Sequence, residues 1–182
     1  MKINPFLIGG AAFLLWRAVD RGEVGPMDAK RAFVLAIWDA SQEAAARVGW
    51  PRDLIITAAA HESNYGKSAL ASKYHNLFGY KANAAWFAAK KPVALLPTWE
   101  EENGKVVHVN APFRVYPSWK ESIDDYVDLI TRLSRYASAD AAAKRGDARG
   151  FFDGLQRGGY ATDSRYAEKL DGVHRSIEAA LV

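Results

Sequence analysis

Asn103-Gly104 stands between two β-compatible runs in a chain otherwise patterned for helices. On one side lie Val93-Ala-Leu-Leu96 and Thr98-Trp-Glu-Glu-Glu102. On the other is Lys105-Val-Val-His-Val-Asn110. Asn-Gly supplies the two positive φ values of a tight type I′ turn, so the pair reads as a β-hairpin. Phe113-Arg-Val-Tyr116 reads as a further short strand. The surrounding periodicity is helical. Phe33, Ala36, Ile37, Ala40, Ala44 and Val48 form one stripe, ended by Gly49 before Pro51, which suits the first turn of the next helix. Residues 68–74 read as a short helix and Asn76–Lys81 as a loop. Ser118-Trp-Lys-Glu121 is a capping box, opening a helix with Trp119, Ile123, Tyr126, Val127, Ile130 and Leu133 on its buried side. A helix near 147–157 ends at Gly158-Gly159. The last helix starts at Asp163 and runs through Tyr166, Leu170, Val173, Ile177 and Leu181. The expected class is α+β, a mainly helical body with one small hairpin lobe inserted.

With 182 residues, 49% of them hydrophobic, the chain can bury one real core. The net charge of +3 is spread out, with no Lys/Arg stripe interleaved with aromatics, which argues against a nucleic-acid partner. Without cysteine there is neither a disulfide nor a cysteine-ligated metal. The first 20 residues are read as a separate apolar segment. Its run from Pro5 to Trp16 is 12 residues long, and a spanning helix wants about 20. No Ala-x-Ala cleavage site follows. The segment is expected to be a packing helix, or an anchor or export segment touching a membrane through residues 3–19. Residues 21–28 read as a linker, and 29–182 as the main domain.

Chemistry points to carboxylates. Ile55, Ala58, Ala59 and Glu62 fall at i, i+3, i+4 and i+7, so Glu62 closes an apolar stripe just before its helix should stop at Asn64–Gly66. Partial burial and the negative end of the helix dipole both disfavour its ionised form, as a general acid requires. A buried structural glutamate bonded to a tyrosine fits the same spacing. The other acids of interest are Glu100, Glu101 and Glu102 in the hairpin; a solvated hairpin tip accounts for them equally. Carboxylates on two facing lobes suit glycosidic cleavage. Asn76, Tyr80, Trp86, Trp99 and Tyr160 are available to stack on or bond to sugars. His61-Glu-Ser-Asn-Tyr65 fails the zinc pattern His-Glu-x-x-His at its second histidine, so no metal is expected. There is no Gly-x-Ser-x-Gly and no cysteine nucleophile, which disfavours acyl transfer, and there is no glycine-rich phosphate loop; no cofactor is expected.

Five ordered blocks over residues 30–180 resemble the glucosaminidases of glycoside hydrolase family 73, the flagellar-rod muramidase and autolysin group. They are Ala60-His-Glu-Ser-Asn-Tyr-Gly-Lys-Ser68 with Leu70-Ala71 and Asn76-Leu-Phe-Gly-Tyr-Lys-Ala82; Thr98-Trp-Glu100 with Asn103-Gly-Lys105; Phe113-Arg-Val-Tyr-Pro-Ser118; Ser122-Ile-Asp-Asp-Tyr126; and Gly158-Gly-Tyr-Ala-Thr-Asp163 with Tyr166-Ala167. The resemblance implies a lysozyme-like fold, with a cleft between helical body and hairpin lobe. It also implies hydrolysis of the β-1,4 bond after N-acetylglucosamine in peptidoglycan. By position, Glu62 is the general acid, Glu100 the hairpin carboxylate and Tyr160 the tyrosine beside the acid. Ser63, Asn76, Phe78, Tyr80, Trp86, Trp99 and Tyr166 are the expected substrate-binding residues. Glu101 stands where the family often has tyrosine, which leaves open which hairpin acid faces the cleft. Ser164 replaces a common proline. Two mechanisms stay open. Glu100 can activate water with inversion, which needs carboxyls about 6.5–9.5 Å apart. Alternatively, the substrate's 2-acetamido group can attack with retention. The alternatives in function are a muramidase or lytic transglycosylase on the same fold, or a non-catalytic peptidoglycan-binding protein. The expected setting is a monomer at the bacterial cell wall (periplasm, cell surface or phage virion), as a phage or bacterial lysin.

Overall fold

The computed structural model describes residues 26–102 and 105–181, without the side chains of 26–28, 99–107 and 180–181. The N-terminal apolar run, most of the expected linker and the Asn103-Gly104 turn therefore lie outside the described residues. So do the side chains of Trp99, Glu100, Glu101 and Glu102.

Helix α1 runs Pro26–Val48, so three residues read as linker are in fact its first turn. Proline is tolerated in the first turn of a helix, where its missing N–H costs no bond. Gly49, at φ 76°, ends α1. Helix α2 is Arg52–Ser63, with Pro51 one position outside it as the N-cap. Every residue of α2 from Leu54 to Ala60 is buried, not just the expected stripe. It is the central helix, packed by α1 on one side and by the C-terminal helix on another. Its run of three alanines, Ala58 to Ala60, lets those neighbours come close.

Helix α3 is Ala69–Tyr74, and α4, which the sequence reading missed, is Ala84–Ala88, capped by the Asn83 side chain on the Trp86 N–H. Strands β1 (Val93–Glu102) and β2 (Lys105–Arg114) pair antiparallel, in register from Val93↔Arg114 to Glu102↔Lys105. Phe113 and Arg114 thus continue β2 and do not open another strand. Pro97 and Pro112 fit because each strand has an outer edge, and on that of β2 Pro112 needs no N–H: its carbonyl accepts the Ala82 N–H at 2.8 Å.

Helix α5 (Trp119–Arg132) begins at the expected Ser118 cap, whose oxygen accepts the Lys120 N–H at 3.1 Å. Its stripe Trp119, Ile123, Tyr126, Val127 and Ile130 is buried. A 3₁₀ turn (Ser134–Tyr136) leads into α6 (Ala137–Lys144), another element the sequence reading missed, then α7 (Ala148–Arg157). Gly154 is required where α7 crosses α6: a Cβ there would sit 2.6 Å from the Ala139 backbone. Helix α8 is Tyr166–Leu181 and starts three residues after Asp163, whose carboxylate caps the intervening turn through the Arg165 N–H at 2.9 Å. No described helix is long and apolar enough to cross a membrane. The architecture is α+β, a helical body with one two-stranded lobe.

Candidate active site

Glu62 is the penultimate residue of α2. The helix stops there because Asn64, Tyr65 and Gly66 all take left-handed φ, at 50°, 54° and 77°. The expected glycine cap is thus third in line, behind Asn64. Only at Gly66 is glycine demanded by space as well as by φ, because a Cβ would meet Phe33 and Trp119 at 3.0 Å. Ser63 is fully buried and locks the turn. Its hydroxyl donates to the Ala59 carbonyl and accepts the Gly66 N–H at 2.7 Å.

This leaves Glu62 half-buried at the mouth of an aromatic cluster. Tyr166, the first residue of α8, donates its hydroxyl to Glu62 Oε1 at 2.6 Å. The Tyr166 ring stacks on Tyr160 (centroids 5.7 Å apart, planes 28°) and meets His61 edge-on at 5.6 Å. Tyr160 and Tyr80 bring their hydroxyls to 3.4 Å of each other. Beneath them, Tyr126 stacks on Phe78 at 4.2 Å and meets Tyr160 edge-on at 6.0 Å. The Tyr126 hydroxyl is buried with no hydrogen-bond partner among the described residues. Sequence reading placed Tyr126 in the core stripe and gave it no part in the site; its position two turns below Trp119 carries no signal that it floors the cleft.

Burial of the carboxyl is the main influence on Glu62 and raises its pKa; the Tyr166 hydrogen bond and nearby His61 oppose this only in part. Burial, followed by the adjacent Glu62 charge, pushes the Tyr166 hydroxyl far above its ordinary range. Tyr166 is therefore a fixed donor at any working pH. A carboxyl raised in pKa by burial and set beside an aromatic cluster has the character of a proton donor to a leaving oxygen.

The other expected site residues separate into four groups. Tyr80 and Tyr160 do come together beside Glu62. Ser63, Asn76, Phe78 and Tyr166, expected as substrate contacts, are buried and bonded or packed within the protein. Asn76 is wholly buried and brackets the hairpin base: its amide nitrogen donates to Tyr80 O and Arg114 O, both at 2.9 Å, and its oxygen accepts Tyr80 N–H at 2.9 Å. Phe78 is spent on the Tyr126 face. Trp86 is also buried and belongs elsewhere. Its indole N–H bonds Pro92 O at 3.0 Å, and its ring lies 5.0 Å from the Arg114 guanidinium and 5.3 Å from Tyr116. It lines a cavity of about 360 Å³ with Tyr116, Asp124, Asp125 and Asp128, and Glu62 is not in that lining. Arg114 and Tyr116 both bond Asp125, which pins the lobe to α5. Glu100 stands in β1 at the register opposite Val107. Among the described residues no cluster of His, Asp or Glu could hold a metal ion.

Comparison with known proteins gives a consistent family. The family model described as mannosyl-glycoprotein endo-β-N-acetylglucosaminidase, a glucosaminidase, matches residues 38–179. The peptidoglycan hydrolase FlgJ of Escherichia coli strain K12 is 39% identical over 172 residues, covering 91% of this chain and 53% of that protein. A crystal structure of a peptidoglycan hydrolase mutant from Sphingomonas sp. A1 superposes with a TM-score of 0.71 at 36% identity, covering 82% of this chain and 97% of that one. A C-terminally truncated glycoside hydrolase domain of Salmonella typhimurium FlgJ gives 0.66 at 36% identity, covering 82% and 98%. The chain spans about half the length of the curated relatives it matches.

Proposed function

The chain belongs to the glucosaminidase family, and on that premise we propose that it hydrolyses the β-1,4 bond after N-acetylglucosamine in bacterial peptidoglycan, with Glu62 as the general acid. The observation that carries this reading is the Glu62 carboxyl itself. It is half-buried at a helix C-terminus, raised in pKa by burial, and held by Tyr166 at 2.6 Å beside the paired hydroxyls of Tyr80 and Tyr160.

In the proposed step, Glu62 gives its proton to the glycosidic oxygen as the C1–O bond breaks, and the bonding pair leaves with that oxygen. The cation developing at the sugar is met from the opposite face. Glu100 acting as base on a water gives inversion, and attack by the substrate's own 2-acetamido oxygen gives retention. In the second route Tyr160 or a hairpin acid positions the acetamide. The anomer formed first distinguishes the two routes. The proposed setting is the cell wall, in the periplasm, at the surface or on a phage virion. There the chain acts as a monomer, with residues 3–19 as its contact with a membrane.

Digestion of purified peptidoglycan, followed by mass spectrometry of the fragments, tests the substrate and the bond. New reducing ends on N-acetylglucosamine are expected. Reducing ends on muramic acid would reassign the bond, anhydro-muramic ends would make the protein a transglycosylase, and no new ends would make it a binding protein.

A further inference from the structure

We infer that Tyr166 is a positioning residue for the acid: it determines which oxygen of Glu62 carries the proton. This rests on the proposed role of Glu62. Tyr166 donates to Oε1 at 2.6 Å. It is 3% exposed, and its hydroxyl stays protonated throughout the working range. In a neutral carboxylic acid the oxygen that accepts such a bond is the carbonyl oxygen, because the hydroxyl oxygen is a much poorer acceptor. The proton of neutral Glu62 is thereby confined to Oε2, the oxygen left for the substrate.

The ring cannot easily move away. It is stacked on Tyr160 and edged by His61. Its helix is fastened to α2 again further along, where His174 Nδ1 and Thr57 Oγ1 lie 3.0 Å apart in the core. The contacts Glu62–Tyr166 and Thr57–His174 run in opposite chain directions, so α2 and α8 are antiparallel and held at two points.

When Glu62 transfers its proton it becomes a carboxylate. The Tyr166 hydrogen bond then becomes charge-assisted and strengthens as the transition state forms. Removing it has two consequences with different signatures. The carboxyl is free to rotate and to protonate at Oε1, which lowers turnover. Its ionised form also loses a donor, which raises the Glu62 pKa further.

Tyr166→Phe keeps the stacked ring and removes only the hydroxyl. The expected result is a fall in kcat of about 10- to 100-fold, the loss of one hydrogen bond to a forming charge. KM stays within about two-fold, because Tyr166 does not touch the sugar. The alkaline limb of the kcat profile moves to higher pH. Thr57→Val loosens the same helix pair without touching the acid, and is expected to leave the limb in place. A Y166F enzyme with an unmoved limb, or with its loss in KM alone, would overturn the inference. So would a T57V enzyme whose limb shifts equally. These outcomes are separable from failure of the proposed function, which would appear as activity surviving in Glu62→Gln.

Discussion

Glu62→Gln is expected to lower turnover on peptidoglycan by roughly 10²- to 10⁴-fold, the range attributed to a positioned general acid. Glutamine has nearly the same shape, and its amide oxygen can still accept the Tyr166 hydroxyl, so the cleft is kept. The same variant is expected to melt higher than the parent at neutral pH. The sign follows from linkage. Burial raises the Glu62 pKa in the folded state, so over the relevant range the folded chain binds more protons than the unfolded chain. Stability then falls as pH rises from the ordinary carboxylate range through the raised value. Below that window the parent incurs no such cost, so the difference between the two proteins shrinks toward acid pH. Glutamine never ionises and removes the cost altogether. Turnover assays paired with melting curves at acid and neutral pH check both halves. A variant with near-normal turnover contradicts the assignment of Glu62. A variant that is inactive but unfolded says nothing about chemistry, and the melting curve detects it.

Asn76→Ala is expected to destabilise the fold by about 3–5 kcal/mol, the largest stability effect the site contains. Three hydrogen bonds are lost at once, and they all end on backbone atoms at the base of the hairpin. Tyr80 O keeps a bond from the Arg114 N–H at 2.9 Å. The Tyr80 N–H and the Arg114 carbonyl lose the partner that Asn76 supplies. Each buried polar group stranded this way costs about 1–3 kcal/mol. The loss also releases Tyr80 from its place beside Tyr160, so activity is expected to fall at temperatures where the protein is still folded. Denaturant titration measures the first effect. A loss under about 1 kcal/mol would show that the bracket is redundant with the Arg114–Asp125 and Tyr116–Asp125 contacts that also pin the lobe.

The parts of this fold that announce themselves in sequence are those with local chemistry. Asn103-Gly104 between β-compatible runs marked the hairpin, and Ser118 with Glu121 marked the start of α5. The stripe from Trp119 to Ile130 gave the buried face of that helix correctly, because a half-buried helix must repeat its apolar residues every turn. Helix α6 escaped because Ala139, Ala142 and Ala143 bury against α7 without any large apolar residue to make a stripe. Helix α4 escaped because five residues are too few to show a period.

The site shows the same division. Glu62 was legible because an acid on an apolar stripe is a conflict between pattern and polarity. Two readings of that conflict stood side by side, a buried glutamate bonded to a tyrosine and a proton donor. The geometry contains the tyrosine bond, and the proposed mechanism uses it, so the two are not alternatives. What sequence could not give was the division of labour among polar and aromatic residues in the same blocks. Asn76, Ser63 and Phe78 sit in the most family-like stretch, yet their side chains face inward and hold the frame. Spacing along a loop carries no information about which way a side chain points, and only the three-dimensional bracket around Tyr80 and Arg114 reveals it.

The proposed chemistry depends on burial raising the Glu62 carboxyl above its ordinary pKa. Carbon-13 labelling of glutamate side chains, with the carboxyl resonances followed across pH and Glu62 identified by its absence in Glu62→Gln, reads that directly. One carboxyl is expected to titrate above the ordinary glutamate range and to vanish in the variant; a Glu62 resonance that titrates within that ordinary range would contradict the proposed role.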